Sequence, residues 1–353
     1  MNYAAFRAIL TLSATDNMSR TVNAAIGNAQ TRMAKFGARA QGMGRDMMMG
    51  GGIIAAPFVA ATKAAVDFEE AFTGVTKTWR GTETELENTR KGILAMSRSA
   101  QNTATAEELS AIAESAGQLG IQTKNVLTFT KTIADLKATT NLGDEAAPQF
   151  AKFANITRMP QERFSNLAST VVELGNNMAT TEADIVNFGM RIAGAGAQVN
   201  IPQSKIMGLA AGLSSVGLEA EAGGTAISKT LIELSNRVKT GGAGLAEVAG
   251  ISGMSGAAFA KSFQEDAAGA TVSFIEGLGK IKQEGGNVFQ TLDKLGMGEI
   301  RLRDTLLRAS GAGDLLRKSL NLSSTAWDKN EALTKEAETR YKTTASQMKV
   351  FKN

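Results

Sequence analysis

The stretch Thr105–Gly120, TAEELSAIAESAGQLG, carries the start signal, the packing face and the stop signal of one helix. Thr105 and Glu108 have the spacing of a capping box, in which each side chain accepts a hydrogen bond from the other residue's backbone N–H. The apolar positions that follow recur at helical spacing, at Leu109, Ile112, Ala116 and Leu119. Gly120 stands where a C-terminal cap is needed. The stretch therefore predicts a short amphipathic helix.

A second stretch, Thr180–Ile192, TTEADIVNFGMRI, repeats this arrangement. Thr181 and Asp184 supply the cap, and the apolar face follows at Ile185, Phe188 and Ile192. Gly194 is predicted to cap the C-terminus. Residues 67–240 form a run of such units, so we predict an all-α fold. Long N-terminal and C-terminal helices are expected to flank compact bundles of short helices.

Residues 67–240 also contain an internal repeat with an offset of 80 residues. Segments of about 121–153 and 201–233 align without gaps, and Gly143 falls on Gly223. Each copy is predicted to be a helix, a glycine-bearing turn and a second helix. The period is longer than that of common solenoids, so we interpret the copies as two similar subdomains.

Composition excludes several classes of site. The chain of 353 residues contains no cysteine and no histidine, which rules out disulfides, thiolate chemistry, a Ser-His-Asp triad and an ordinary zinc site. Hydrophobic residues make up 43% and aromatic residues 5%, so the core must be built mainly from aliphatic side chains and methionine. With 37 glycines and 4 prolines, glycine is expected to punctuate helices.

Residues 1–47 are predicted to be a basic helix with a heptad seam. The apolar spacing alternates between four and three residues, as in helices that pack against like helices. The seam consists of Val22, Ile26, Ala29, Met33, Phe36, Ala40, Met43 and Met47. Self-association is the first interpretation, and an amphipathic helix within its own domain shares the same pattern. Residues 1–66 carry a net charge of +5, which suits an acidic partner or a solvated helix face.

Residues 48–66 are a glycine-hinged apolar segment. Met47–Thr62 is a run of sixteen uncharged residues, shorter than the ~20 that span a bilayer. The residues assigned to the hinge and to membrane contact are Gly50, Gly51, Gly52, Ile53, Ile54, Pro57, Phe58 and Val59. We interpret the segment as a hinge leading into a buried helix from about Pro57. Bilayer insertion of several copies side by side is the further hypothesis, since glycines permit close approach of helices.

The C-terminal third is predicted to contain two regions. Residues 241–322 are a glycine-rich helical region in which GGAGLAEVAGISGMSG is expected to be a loop. Residues 323–353 are expected to form one long charged helix with a thin apolar line at Leu333, Ala337 and Tyr341. Pairs such as Glu331–Lys335 have the i,i+4 order that favours a helix.

No catalytic or cofactor motif stands out in the chain. The glycine cluster at Gly241 lacks the Lys-Ser/Thr and the preceding strand of a phosphate-binding loop. Carboxylate pairs occur at helix starts or turns, where they favour the helix dipole, at Glu69–Glu70, Glu107–Glu108 and Glu219–Glu221. We therefore expect no enzyme activity, no cofactor, no metal and no specific nucleic-acid recognition.

Several ordered segments resemble the phage tail tape measure protein family. They are IAAPFVAATKAAVDFEEAFTGVTKTW, ELSAIAESAGQLGI, VVELGNNMATTEADIVNFGMRIAGAGAQVNI and IMGLAAGLSSVGLEAEAGGTAISKTLIEL. The resemblance covers roughly residues 50–240. It implies a scaffold in the tail lumen, present as a few parallel copies, that sets tail length and leaves ahead of the genome. Tail tube and tail-tip proteins are the implied partners, with assembly in the host cytoplasm and transient contact with the host inner membrane at infection.

The length of the chain limits how far it could reach as a simple helical ruler. As one straight helix, 353 residues would span roughly 530 Å, and the glycines shorten that reach. The seam at residues 19–47 and the segment beyond residue 323 are the better candidates for measuring length. The alternative function is a membrane-inserting ejection protein that forms a channel in the host inner membrane. A peptidoglycan hydrolase is a weaker third hypothesis, since it requires carboxylates that converge in a cleft.

Overall fold

A computed structural model describes residues 55–343 and residue 346, with side chains described from residue 65 onward. The chain divides into two units, residues 1–66 and residues 67–353. The predicted basic helix of residues 1–47 lies outside the described residues. The account that follows concerns the second unit.

The described residues form sixteen α-helices and no strand, which confirms the predicted all-α fold. Three single turns of 3₁₀-helix, Thr123–Asn125, Gly143–Glu145 and Gln161–Arg163, precede α-helices. The α-helices are α1 Ala55–Thr78, α2 Glu83–Ser97, α3 Ala106–Gln118, α4 Val126–Thr139, α5 Ala146–Thr157, α6 Phe164–Asn177, α7 Glu182–Gln198, α8 Gln203–Ser214, α9 Ala220–Thr240, α10 Gly242–Ile251, α11 Gly256–Glu265, α12 Ala267–Gln283, α13 Val288–Lys294, α14 Ile300–Ser310, α15 Gly313–Lys329 and α16 Ala332–Tyr341.

The helix starts follow the capping signals of the sequence. Thr105 and Glu108 form the predicted capping box at the start of α3, and Thr181 caps α7 through the backbone N–H of Asp184. A further capping box, Thr82 with Glu85, starts α2. Each cap satisfies backbone N–H groups that have no partner inside the helix, so the polar residues before each apolar face fix where the helix begins.

The two glycines that were predicted to cap helices differ in outcome. Gly120 follows Leu119, the C-cap residue of α3, and has φ of +79°, so it terminates the helix as predicted. The prediction for Gly194 is wrong, because this residue lies inside α7, which continues to Gln198. The left-handed residue after α7 is Asn200, with φ of +59°. Asparagine tolerates this conformation better than most residues with a side chain, so it replaces glycine at the turn.

Helix α8 lies at the centre of the unit, packed between α7 and α15 with α6 beside it. Its apolar side chains are buried around most of its circumference, as Ile206, Met207, Leu209 and Leu213 show. A helix that is apolar on all sides must be surrounded by other helices. The core of the second unit is therefore built outward from α8.

The approach of α15 to α8 depends on small side chains. A Cβ at Gly208 would lie 3.0 Å from the backbone oxygen of Ser319, and one at Gly212 would lie 2.7 Å from Leu316 Cδ2. Ser319 and Ser323 are fully buried on the facing side of α15. Glycine and serine let the two backbones come close, which fixes the position of α15 against the core.

The region with the predicted repeat contains α4 and α5 in the first copy and α8 and α9 in the second. The turns differ between the copies. Gly143 has φ of +59°, whereas its aligned residue, Gly223, lies within α9 against the Phe188 ring. In the second copy the left-handed glycine is Gly217, with φ of +74°. The proposed domain boundaries and the repeat stay predictions.

The expected loop at residues 241–256 is helical instead. Helix α10 starts at Gly242 and α11 starts at Gly256, with Ser255 as the N-cap of α11. Val248 and Ala249 are fully buried. Burial of these side chains offsets the low helix propensity of the glycines, which misled the prediction.

The segment predicted to be one long helix from residue 323 is broken in the structure. Helix α15 ends at Lys329, Asn330 adopts φ of +50°, and α16 begins at Ala332. The predicted apolar line is correct, since Leu333, Ala337 and Tyr341 are buried. These residues are buried within the second unit, against α4 and α6. Tertiary packing therefore overrides the local preference for a continuous helix.

Candidate functional site

The sites predicted from sequence lie mostly outside the described part of the chain. This applies to the whole seam from Val22 to Met47 and to Gly50–Ile54 of the hinge. Pro57, Phe58 and Val59 lie within α1, which starts at Ala55, two residues earlier than predicted. Pro57 is thus in the first turn of α1, where its missing N–H costs no intrahelical bond.

Among the described residues, no group of three or more acidic side chains is placed to hold a metal ion. Two of the carboxylates that the sequence places in pairs have structural partners. Glu108 closes the cap of α3, and Glu69 lies 3.5 Å from Arg90. None of the helices in residues 55–343 is both long enough and apolar enough to cross a bilayer.

An open cavity of about 760 Å³ lies beside α12 and α15, and the paired side chains of Arg317 and Glu276 line it. Arg317 donates from Nε to Glu276 Oε1 at 2.6 Å, and it also donates to Ser273. The Glu276 carboxylate is thereby fixed by a guanidinium that bridges two helices. This arrangement stabilises the contact between α12 and α15, and it leaves the carboxylate engaged in an ion pair.

The feature that stands apart is the docking of α16, which we call the C-terminal strap (Ala332–Tyr341). The strap lies across α4 and α6. These two helices also contact each other, and Phe129 meets Phe164 edge to face at 4.7 Å between ring centroids. Leu333, Ala337 and Tyr341 are buried where the strap packs on α4 and α6. The strap therefore covers the groove between two helices that precede it by some 200 residues in the sequence.

A buried polar contact anchors the far end of the strap. The Tyr341 hydroxyl donates to Asp135 Oδ1 at 2.8 Å, and Lys131 Nζ donates to Asp135 Oδ2 at 2.6 Å. The Asp135 side chain is only 6% exposed, whereas Lys131 is 52% exposed. Burial, the Asp135 charge and the hydrogen bond all raise the pKa of Tyr341 above its usual value. Because a buried carboxylate needs partners, Asp135 ties the strap to α4.

We expect Tyr341 to resist titration while the strap is docked. Since folding raises its pKa, its contribution to stability is fully present below the ordinary tyrosine pKa of about 10 and is lost as the pH rises further. The chain has two tyrosines, Tyr3 and Tyr341. In a Tyr3→Phe variant, tyrosinate absorbance should appear only at a pH where helical circular dichroism also falls. Ordinary titration with full helicity would contradict the buried contact.

The near end of the strap is held at the junction with α15. Asn330 donates from Nδ2 to Ser165 Oγ at 2.9 Å, and its Oδ1 accepts from Ser169 Oγ at 3.0 Å. One turn earlier, Asn166 donates to the backbone oxygen of Trp327 at 2.8 Å. One side of α6 thus holds both the end of α15 and the turn that follows it.

Three large apolar side chains on α9, α13 and α14 are exposed, namely Ile232, Phe289 and Ile300. Ile300 is 74% exposed. The Arg303 guanidinium lies 5.1 Å from the Phe289 ring centroid, and Lys229 bonds Glu299 at 2.6 Å next to Ile300. Exposed apolar side chains indicate a contact surface where they form a continuous patch.

Sequence reasoning missed the partners of the strap. The four-residue spacing of Leu333, Ala337 and Tyr341 predicted an apolar line along a helix. It did not indicate that α4 and α6 would cover this line. Asp135 carried a usable signal, because it is the one acidic residue in the predicted helical segment from Val126 to Thr139 and stands between Ala134 and Leu136. A lone carboxylate in such a position requires a buried donor.

Comparison with curated proteins and with solved structures gave no significant match. A family model described as phage-related minor tail protein matches residues 90–299, which is more than half of the chain. The match extends from α2 to the residue before α14 and includes the central helix α8. The seam, the hinge and the strap lie outside it. The chain therefore belongs to the family of phage-related minor tail proteins.

Proposed function

We propose that this tail protein is a tape measure. In this role it is a non-enzymatic scaffold in the tail lumen that sets tail length during assembly and is released at genome ejection. The observation that supports the proposal is the family match over residues 90–299, combined with an all-helical second unit. Membership of a phage tail family supports a location in the virion.

The proposal assigns length measurement to the extended parts of the chain. A compact unit the size of residues 67–353 has a radius of gyration of about 19 Å, whereas one straight helix of the same residues would span about 430 Å. Because the strap folds back onto α4 and α6, the described residues beyond 323 add no separate length. The heptad seam from Val22 to Met47 is then the measuring candidate within this chain.

The proposed partners follow from this arrangement. A few copies associate in parallel through the seam, and tail tube and tail-tip proteins surround them. The exposed side chains of Ile232, Phe289 and Ile300 are the proposed contact points between the second unit and one of these proteins. The basic residues of the N-terminal segment favour an acidic partner.

A stop codon early in the gene tests the function. A tape measure is needed for tail assembly, so electron microscopy should show tail-less capsids or tails of uncontrolled length. Supplying the wild-type protein from a plasmid should restore tails of uniform length. Tails of normal length that adsorb but fail to deliver DNA would refute the tape measure role and favour the membrane-inserting alternative.

A further inference from the structure

We propose that the groove between α4 and α6 is an interface between copies of this chain, which exchange their C-terminal straps. In the exchanged form, the strap of one copy fills the groove of a second copy. The occupant is defined by the structure itself, since the groove already holds this helix through Leu333, Ala337 and Tyr341. The inference does not depend on the proposed function, because it concerns contacts between purified chains.

The local sequence at the junction favours one continuous helix. Residues 323–341 contain no glycine and no proline, and Glu331 and Lys335 form an i,i+4 ion pair across the start of the strap. Asn330 nevertheless has φ of +50°. Asparagine adopts this left-handed conformation more readily than other residues with a Cβ atom, but the helical conformation would let α15 continue without a break. The break at Asn330 is therefore opposed by the residues on both sides of it.

Tertiary contacts hold the break in place. The Asn330 side chain bonds Ser165 and Ser169 on α6, and the Leu333 backbone N–H donates to Ser169 Oγ at 3.4 Å. These bonds form only while the turn is closed against its own α6. If Asn330 becomes helical, α15 and the strap merge into one helix from Gly313 to Tyr341, about 43 Å long. The strap then points away from its own groove.

Exchange preserves most of the docking contacts. The strap packs mainly on α4 and α6, and the Tyr341–Asp135 hydrogen bond is made with α4, so these contacts form equally well when those helices belong to a second copy. Exchange gives up the Asn330 bonds and removes the left-handed residue. A short hinge beside a self-complementary element is the arrangement in which domain swapping arises.

Chemical cross-linking of mixed chains tests the exchange. The native chain has no cysteine, so Lys131→Cys and Lys342→Cys each introduce a unique thiol. Lys131 bonds Asp135, the partner of Tyr341, and Lys342 directly follows Tyr341. The two single-cysteine chains are mixed, refolded together and treated with a short bis-maleimide. A cross-link between residues 131 and 342 then requires a strap from one copy in the groove of another.

The hinge is varied in both chains as a matched pair. Asn330→Ala removes the side-chain bonds and favours a helical residue, whereas Asn330→Gly removes the same bonds but accepts the left-handed turn. We expect several-fold more cross-linked heterodimer with alanine than with asparagine, and no increase with glycine. Association through the N-terminal seam does not depend on residue 330, so it cannot produce this difference.

Equal yields with alanine, asparagine and glycine would overturn the inference. If the alanine variant does not fold, the chains with native Asn330 are refolded together at low and at high protein concentration. Exchange predicts that the 131–342 product increases with the concentration during refolding and is absent when the two chains are refolded separately and mixed afterwards, whereas association through the seam gives the same product in both cases. A yield that is independent of concentration would overturn the inference in that case.

Discussion

Replacing Gly277 with alanine should lower the free energy of unfolding by about 3 kcal/mol or more. Helix α12 passes so close to the end of α10 that a Cβ at Gly277 would overlap the carbonyl oxygen of Ile251 and lie 2.6 Å from its carbonyl carbon. A backbone carbonyl cannot rotate away as a flexible side chain can. The two helices must separate, and overpacking of this kind typically costs 1–3 kcal/mol or more.

Thermal unfolding followed by circular dichroism measures this effect. A loss of about 3 kcal/mol in a unit of this size lowers Tm by about 6–12 °C. The matched control is Gly250→Ala, because Gly250 also lies in a helix but has no atom within 4 Å of an added Cβ. That change should leave Tm unchanged or raise it, since alanine has the higher helix propensity. Equal effects of the two substitutions would contradict the close contact of α10 and α12.

Helix positions were largely predictable from the sequence. Thr105 with Glu108 and Thr181 with Asp184 marked helix starts, because each pair satisfies free backbone N–H groups through bonds that are local in sequence. Apolar spacing identified the buried faces for the same reason, since it reflects helix geometry alone. The all-α class followed from these local signals.

Contacts between distant helices were not predictable in this way. No feature of the sequence around Gly277 shows that the end of α10 approaches it. Gly277 could therefore not be distinguished from Gly250 by sequence alone. The break at Asn330 was missed because the residues around it favour a continuous helix, while the bonds that hold it come from α6. The candidate site at the strap depends on such contacts, and only its apolar line could be predicted.

Lengthening the heptad seam should lengthen the tail. Four additional heptads inserted after Ala38, in phase with the seam, extend a straight helix by about 42 Å. If this helix measures the tail, the tube should assemble further by the same amount. The phase must be kept, because a shift of a few residues would move the apolar seam away from its partner helix.

The control places the same insertion in the compact unit. Gly285 and Gly286 form an exposed turn between α12 and α13, and Gly285 has φ of +80°. An insertion there projects sideways from a folded unit, so it should leave tail length unchanged. The contrast between the two positions separates a specific ruler from a general effect of chain length.

Tail length measured by electron microscopy for these two insertions tests the central claim most directly. The account predicts tails longer by about 42 Å for the insertion after Ala38 and tails of wild-type length for the insertion between Gly285 and Gly286. Tails of wild-type length with the seam insertion, or equal lengthening by both insertions, would contradict the assignment of length measurement to the seam.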